Sequence, residues 1–221
     1  MLPILARDTL HLLYASLDAY PATAFISCLS PDELKRSEQL ERARDRERYV
    51  VGCGLLRLTL GVVTHCEPAE VTLMDNGFGK PLCYGLDFSV AHAGDMWVCA
   101  LSWLGPVGVD IENPRSLKDR HVFRELIPLP DDSPVWQSDV AFLHWWTQQE
   151  AYAKATGIGF LRSLSHPVEH GAWWSVEFQL PGGAFGVVAA SHPRAALTIA
   201  PLLSIDLVRE RLEASLETQR P

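Results

Sequence analysis

The sequence predicts an α+β protein made of two halves, each with one long helical stretch and several short strands. The order of the predicted elements supports this, because helix followed by strands occurs twice along the 221 residues and the division falls near Gly105. The composition, 48% apolar and 21% charged, is typical of an ordered chain with a sizeable core. The predicted halves are residues 1–105 and 106–221, with too little identity between them for a repeat.

The first half begins with a predicted strand over residues 10–20, followed by a long helical stretch. Ser30 is suited to cap that helix, and Glu33 completes a capping box three residues later. The stretch changes from charged to apolar, so we expect a break near Asp45 and two helices. Gly61 is the expected end of the second helix.

The remaining elements are predicted from apolar periodicity and turn residues. A weak helix is expected over 116–127 and a stronger one over 138–156, with Gly157 as its C-terminal cap. The expected strands are "VTLM", "LDFSVAHAGDMWVCALS", "PVGVDIE", "AWWSVEFQL", "AFGVVAASHP" and "ALTIAPLL".

Charge and cysteine content exclude several classes of protein. The net charge of −8 argues against a general nucleic-acid binder, which needs a basic surface. The five cysteines are odd in number and never spaced as CxxC, which favours reduced thiols in a cytosol. Arg7 comes too early for a signal peptide, and no apolar run reaches membrane-spanning length. We therefore expect a soluble cytoplasmic protein that binds neither nucleic acid nor membrane.

Two carboxylates in "GVDIEN" form the first candidate site. On a strand, residues two apart project to one face, so Asp110 and Glu112 point together while Val109 and Ile111 face the other way. A hard divalent metal ion would relieve the repulsion between the carboxylates. The alternative is a solvated strand end.

The helix "WWTQQEAYAKATG" contributes a second pair of charges. Glu150 and Lys154 are four residues apart, on one helical face. One interpretation is a surface ion pair worth a few tenths of a kcal/mol. The other follows from Trp146, which places the pair at the edge of the buried stripe, where Glu150 could join the strand carboxylates.

Other candidates are single cations. Lys80 lies in the turn "GFGKP", where Pro81 restricts its backbone, and His92 lies near the end of a predicted strand. Arg48 belongs to a basic run interleaved with glutamates. The alternatives are a solvated lysine, a structural histidine and a solvated helix. No P-loop, GxGxxG or GxSxG motif is present.

The order of five segments resembles that of the Sfp-type 4′-phosphopantetheinyl transferases. They are "RERYVVGCGLLR", "GFGKP", "FSVAHAGDMWVCAL", "VGVDIEN" and "WTQQEAYAKATGIG", and the resemblance covers roughly residues 25–195. It implies a monomer of two similar α/β lobes related by pseudo-two-fold symmetry, each with a small sheet and a packed long helix. Coenzyme A would lie between the lobes. The implied reaction moves phosphopantetheine from coenzyme A to a serine of an acyl or peptidyl carrier protein and releases adenosine 3′,5′-bisphosphate.

By motif position, the resemblance implies that Asp110, Glu112 and Glu150 are ligands of Mg²⁺. Glu150 also corresponds to the group that takes the serine proton, directly or through water. Lys154 corresponds to the lysine that neutralises the diphosphate or the leaving group. These roles agree with the chemistry, because attack on a diphosphate needs charge neutralisation and a base for the hydroxyl.

The resemblance places Lys80, His92 and Arg48 where the family holds the coenzyme's phosphates. Two positions depart from the family pattern: Gln149 replaces a lysine and Ala91 a serine. Each change is expected to remove a hydrogen-bond donor near the phosphates. A non-catalytic relative that binds coenzyme A or a carrier protein is therefore the alternative, and an unrelated magnesium-dependent phosphohydrolase is a third.

Overall fold

Nine strands and five helices form the described part of the chain in the computed structural model, which covers residues 5–118, 120–165, 173–191, 196–202 and 210. The strands are β1 (Thr9–Ser16), β2 (Met74–Asp75), β3 (Pro81–Leu82), β4 (Asp87–Ala93), β5 (Met96–Ser102), β6 (Val107–Glu112), β7 (Trp174–Gln179), β8 (Phe185–Ala190) and β9 (Ala196–Pro201). The helices are α1 (Pro31–Glu38), α2 (Ala43–Thr64), α3 (Arg120–Leu126), α4 (Asp139–Thr156) and α5 (Phe160–Ser165). The mixed α+β class is confirmed.

The strands form two main sheets and one small ribbon. The first sheet has the order β4-β5-β1-β9, the second has the order β6-β8-β7, and β2 pairs with β3. Strand β1 is antiparallel to β5 and parallel to β9, so Leu13 lies between Cys99 and Ala200. Since β9 comes from the second half of the sequence, both halves contribute to the first sheet. The division into lobes at 105 stays a prediction.

The first N-terminal helix begins as predicted, but the break after it lies at a different position. The Ser30 hydroxyl accepts a hydrogen bond from the Glu33 amide, and the Glu33 carboxylate accepts one from the Ser30 amide at 2.8 Å, which confirms the capping box. The break predicted near Asp45 lies earlier, because the extended backbone at Arg42 separates α1 from α2.

The end predicted for α2 at Gly61 is wrong. The helix continues to Thr64 and ends at His65, whose φ of 58° is left-handed. A glycine is needed at position 61 for a different reason: a Cβ there would lie 2.7 Å from the carbonyl oxygen of Cys66. Its missing side chain lets the chain fold back over the end of the helix.

The other elements are close to their predicted positions. Ser138 caps α4 through the Ala141 amide at 3.0 Å, and Gly157 ends it with a left-handed φ of 70°, as predicted. The first strand is shorter than predicted, because the chain enters a 3-10 turn at Leu17. Of "VTLM", only Met74 lies in a strand. Positions 172, 192, 193 and 203 of the predicted strands lie outside the described residues.

Helix α4 packs on strands β6 and β8 through small residues. Ala151 and Ala155 of the helix are buried against Val187 and Ala189 of β8. Such side chains allow the helix to lie close to the sheet. The larger side chains of the first sheet, among them Phe88, pack against α2 in a separate cluster. Among the described residues, no helix is both long and apolar enough to cross a bilayer.

A buried histidine predicts how stability depends on pH. His11 bonds to Thr198 Oγ1 through Nδ1 at 2.8 Å and to the Ala6 carbonyl oxygen through Nε2 at 2.9 Å. Burial lowers the pKa of His11 from its ordinary value of 6.5. The unfolded chain therefore binds this proton at a higher pH than the folded one. Above pH 6.5 the ring of His11 is neutral in both states and does not reduce the free energy of unfolding. As the pH drops below 6.5, protonation of the unfolded chain lowers that free energy.

We expect urea unfolding to give a lower free energy at pH 5.5 than at pH 7.5, with a slope of at most about 1.4 kcal/mol per pH unit from this group. His11→Gln removes the titrating ring, so the variant should lose part of that slope whatever its absolute stability. Equal slopes in the two proteins would contradict the assignment.

Candidate active site

Strand β6 and helix α4 approach each other unusually closely at Gly108. A Cβ at this position would lie 2.0 Å from the carbonyl oxygen of Ala151 and 2.3 Å from the amide nitrogen of Ala155. Only a glycine permits this contact. The close approach brings Asp110, two residues further along the strand, to the side of the helix that carries Lys154.

Lys154 pairs with Asp110 and not with its helical neighbour Glu150. Its Nζ donates to Asp110 Oδ1 at 2.8 Å. Burial raises the pKa of Asp110, and the Lys154 ammonium and a hydrogen bond from the Ile111 amide oppose that rise. The predicted strand alternation is confirmed, because Val109 and Ile111 lie in the apolar core while Asp110 faces the lysine.

Glu150 lies within electrostatic reach of both strand carboxylates. Its pKa is raised, first by burial and then by the charges of Asp110 and Glu112, while Lys154 opposes the rise. Three carboxylates and one ammonium therefore share a region at the contact of β6 with α4. The surface-pair interpretation of Glu150 and Lys154 does not describe this arrangement.

The donor chemistry of this cluster fits a hard divalent cation, although the side chains are not gathered around one point. Carboxylate oxygens are the ligands that Mg²⁺ prefers. Burial and mutual repulsion raise the pKa of Asp110 and of Glu150, and a bound cation would relieve that repulsion. As arranged, no three His, Cys, Asp or Glu side chains in the described parts of the chain form a group that could hold a metal ion. One oxygen of Asp110 is bonded to Lys154 instead.

Sequence reasoning missed Arg115. Both ends of its guanidinium contact the Glu112 carboxylate, with Nη2 to Oε1 at 3.1 Å, and Glu112 raises the pKa of Arg115. No local signal singles out this residue, since it is one arginine in an irregular segment. The ion pair directs Glu112 towards a large cleft.

That cleft has a volume of about 840 Å³, a size suited to a small-molecule ligand. It lies between α2, the turn joining β4 to β5, and the segment after β6. Its polar lining includes Arg48, His92, Glu112, Asn113 and Arg115, and its apolar lining includes Leu17, Leu40, Tyr49, Leu56, Val90 and Trp97. Three of the predicted site residues therefore line this one cleft: Arg48, His92 and Glu112.

Arg48 is fixed by a second residue that sequence reasoning missed. Its Nε and Nη2 donate to the two oxygens of Asp18 at 2.7 Å each, and its Nη1 donates to the Gly94 carbonyl oxygen at 2.9 Å. Arg48 and the neighbouring Arg44 hold the pKa of Asp18 far below its usual range. This fork orients Arg48 at the cleft wall.

A smaller pocket of about 230 Å³ adjoins the cleft and shares Leu56 and Val90 with it. Glu150 and Lys154 lie at this pocket, and the rest of its lining is mostly apolar, including Phe78, Phe88, Pro81, Ala153 and Phe160. The carboxylate cluster therefore lies between two spaces, with Glu112 at the larger and Glu150 at the smaller.

The structure places Lys80 apart from Arg48 and His92. Its side chain is only 10% exposed, and its Nζ lies 2.6 Å from Asp87 Oδ2 and 3.0 Å from the Val107 carbonyl oxygen. Lys80 lines the smaller pocket and not the large cleft. Ala91 is buried in the apolar core, so no donor is missing from the cleft wall at that position.

Comparison with known proteins gives several relatives of one kind. The chain is 30% identical over 172 residues to the 4′-phosphopantetheinyl transferase HetI of Nostoc sp., covering 72% of this chain and 73% of the relative. It is 26% identical over 161 residues to the 4′-phosphopantetheinyl transferase of Bacillus subtilis, covering 69% of each chain. It is 29% identical over 128 residues to psf-1 of Bacillus pumilus, covering 55% of this chain and 54% of the relative.

A scan against protein-family models finds no match. The relatives nevertheless decide the family, because the identity to HetI extends over nearly three quarters of both chains. The carboxylates and Lys154 lie at the contact of β6 with α4, beside the cleft. The chain belongs to the 4′-phosphopantetheinyl transferases.

Proposed function

We propose that this protein transfers the 4′-phosphopantetheine group of coenzyme A to a serine hydroxyl of an acyl or peptidyl carrier protein. The observation that carries the proposal is the cluster of Asp110, Glu112, Glu150 and Lys154 beside the large cleft. In the reaction, the serine oxygen forms a bond to the phosphorus that bears pantetheine. The bond from that phosphorus to adenosine 3′,5′-bisphosphate breaks.

Glu150 is suited to accept the serine proton. Its pKa is raised by burial and by the neighbouring carboxylates, which makes it a stronger base than an exposed glutamate. Lys154 lies one helical turn away and supplies positive charge for the phosphate oxygens. Asp110, Glu112 and Glu150 would hold Mg²⁺, which neutralises the charge of the diphosphate when bound.

The large cleft suits the nucleotide part of coenzyme A. Arg48 and Arg115 supply cations there, His92 supplies an exposed imidazole, and Tyr49 and Trp97 supply apolar surface for a base. The smaller apolar pocket at Glu150 and Lys154 then suits the pantetheine arm next to the reacting phosphorus. We propose that the diphosphate crosses the boundary between the two spaces, where the carboxylates lie.

Mass spectrometry of apo carrier proteins tests this function. Several carriers are incubated with the protein, coenzyme A and Mg²⁺, and each accepted carrier should gain the mass of one phosphopantetheine group. EDTA should stop the gain, and added Mg²⁺ should restore it. Coenzyme A binding by calorimetry without any mass gain across the panel would favour the non-catalytic alternative and overturn the proposal.

The remaining expectations are also proposals. We propose that the protein acts in the cytoplasm as a monomer, and that residues 1–105 and 106–221 are two similar lobes related by pseudo-two-fold symmetry. The shared first sheet would then join the lobes, because β9 lies beside β1. Light scattering of the purified protein tests the monomer directly, and a molar mass near twice 24.6 kDa would contradict it.

Restoring the cation at position 149 is expected to tighten coenzyme A binding. Gln149 precedes Glu150 on α4, so a lysine there adds positive charge beside the proposed diphosphate position. A charge-assisted hydrogen bond contributes about 1.5–3 kcal/mol, an upper limit of roughly a hundredfold in Kd. Calorimetry should show Gln149→Lys binding coenzyme A at least as tightly as the native protein.

Gln148→Lys is the matched control, because it adds the same charge about 100° round the helix. It should change the affinity less than Gln149→Lys does. Clear weakening in Gln149→Lys would show that α4 is not oriented towards the diphosphate as proposed.

A further inference from the structure

Side chains of β4 bond to the open edge of β6, although the two strands belong to different sheets. The Val107 amide donates to Asp87 Oδ2 at 2.7 Å, and the Val109 amide donates to Ser89 Oγ at 3.0 Å. The other edge of β6 is paired with β8. The two acceptors are two positions apart on β4 and the two donors are two positions apart on β6, so the contacts keep one register along both strands.

Lys80 completes the first of these contacts. Its Nζ donates to the same Oδ2 of Asp87 and also to the Val107 carbonyl oxygen. Both backbone polar groups of Val107 therefore bond to this lysine–aspartate pair. The side chains of Lys80 and Asp87 are 10% and 18% exposed, so little water reaches the contact.

The turn that carries Lys80 is also attached to the end of α4. Asn76 Oδ1 accepts from the amides of Phe78 at 2.8 Å and Lys80 at 3.0 Å, which shapes the turn. Asn76 Nδ2 donates to the Gly157 carbonyl oxygen at 2.7 Å, directly after the helix. One turn thus contacts the first residue of β6 and the residue that caps α4. These two elements carry the carboxylate cluster.

We propose that Lys80, together with Asp87, is a positioning residue that fixes the register of β6 and so the place of Asp110. It is not the phosphate ligand that the family resemblance implies. Asp110 follows Val107 by three residues, and a slip of one residue would turn its carboxylate to the opposite face of the strand. To reach a phosphate, the Lys80 ammonium would have to leave a largely buried carboxylate uncompensated. This inference rests on the proposed function, because its rate measurements use the proposed reaction.

A double-mutant cycle tests the proposal with Lys80→Met, Asp87→Asn and the combined variant. We expect each single variant to lower kcat by about 10- to 100-fold, as is typical when a supporting partner of a site is lost. The combined variant should be no worse than the singles, since all three break one contact. The Kd for adenosine 3′,5′-bisphosphate should stay within twofold, and the Val107 amide should exchange with solvent faster in each variant.

A phosphate ligand would behave differently. Lys80→Met would then weaken adenosine 3′,5′-bisphosphate or coenzyme A binding tenfold or more, Asp87→Asn would have little effect, and Val107 exchange would not change. That pattern overturns the proposal. Lys35→Met, which removes an exposed lysine of α1, is the control for lost positive charge and should leave every readout unchanged.

Two milder variants keep the test decisive if the substitutions at position 80 or 87 prevent folding. Ser89→Ala removes only the acceptor of the Val109 amide, so it should speed Val109 exchange and lower kcat without changing the Kd for adenosine 3′,5′-bisphosphate. Ser89→Thr keeps the hydroxyl and should restore both. A Ser89→Ala variant with native kcat and native exchange would overturn the proposal. Failure of the proposed function would instead appear in the native protein, as no transfer to any carrier.

Discussion

Asp110→Asn is expected to lower the rate of carrier modification by about a thousandfold or more. The substitution keeps the shape of the side chain but removes a negative charge from the proposed magnesium site. Loss of several kcal/mol of metal-assisted stabilisation corresponds to about three orders of magnitude in rate. The measurement is the initial rate of apo to holo conversion by mass spectrometry, at saturating coenzyme A and Mg²⁺.

Asparagine is the informative replacement because it separates chemistry from folding. The carbonyl oxygen of the new amide side chain can still accept the hydrogen bond that Lys154 Nζ now donates to Asp110. Burial also raises the pKa of Asp110, so the folded state does not gain stability from ionising this group, and the variant should unfold close to the native temperature.

Glu38→Gln, which removes an exposed carboxylate from the end of α1, is the matched control and should keep the native rate. An Asp110→Asn rate within tenfold of native would contradict the assignment of Asp110 to the metal site.

Local sequence patterns predict the features that depend on residues close together in the chain, such as helix caps and the alternation of side chains along a strand. The capping box of Ser30 and Glu33 and the left-handed cap at Gly157 depend on side chains a few positions apart, and both are confirmed. The alternation around Asp110 is also local, because a strand turns successive side chains to opposite faces. The long carboxylate-bearing helix and its start at Ser138 were predicted for the same reason.

Partners distant in the sequence could not be predicted in this way. Helical spacing favours a bond between Lys154 and Glu150, yet the tertiary fold places Asp110, 44 residues earlier, at 2.8 Å from the lysine. Asp18 bonds to Arg48 across 30 residues, and no local pattern marks it. Lys80 shows the same limit: its turn was predicted, but Asp87 and the start of β6 decide what its ammonium contacts.

Gly108→Ala is expected to have the largest effect on folding. The new methyl group would lie 2.0 Å from the Ala151 carbonyl oxygen, with two further backbone atoms of Ala155 within 2.9 Å. Backbone atoms in the middle of a helix cannot move aside singly, so α4 as a whole must shift away from β6. Overpacking of this kind costs about 3 kcal/mol or more, a large share of the 5–15 kcal/mol that stabilises a typical domain.

The variant should therefore melt roughly 6–12 °C lower than the native protein, or fail to fold. Where the variant folds, its transfer rate should fall by more than the loss of folded protein explains. The reason is that the displaced helix carries Lys154 away from Asp110. Thermal denaturation and the mass-spectrometric rate measure the two effects separately.

Gly52→Ala is the matched control, since Gly52 also lies inside a regular element. The atoms nearest to a Cβ there are side-chain atoms of Trp97 and Leu17 at 3.6 and 3.7 Å, which is ordinary contact. Alanine is favoured over glycine in a helix by about 1 kcal/mol, so this variant should melt at or above the native temperature. If Gly108→Ala behaved in the same way, α4 would not lie directly on β6. The carboxylates of the strand and those of the helix would then not share one site.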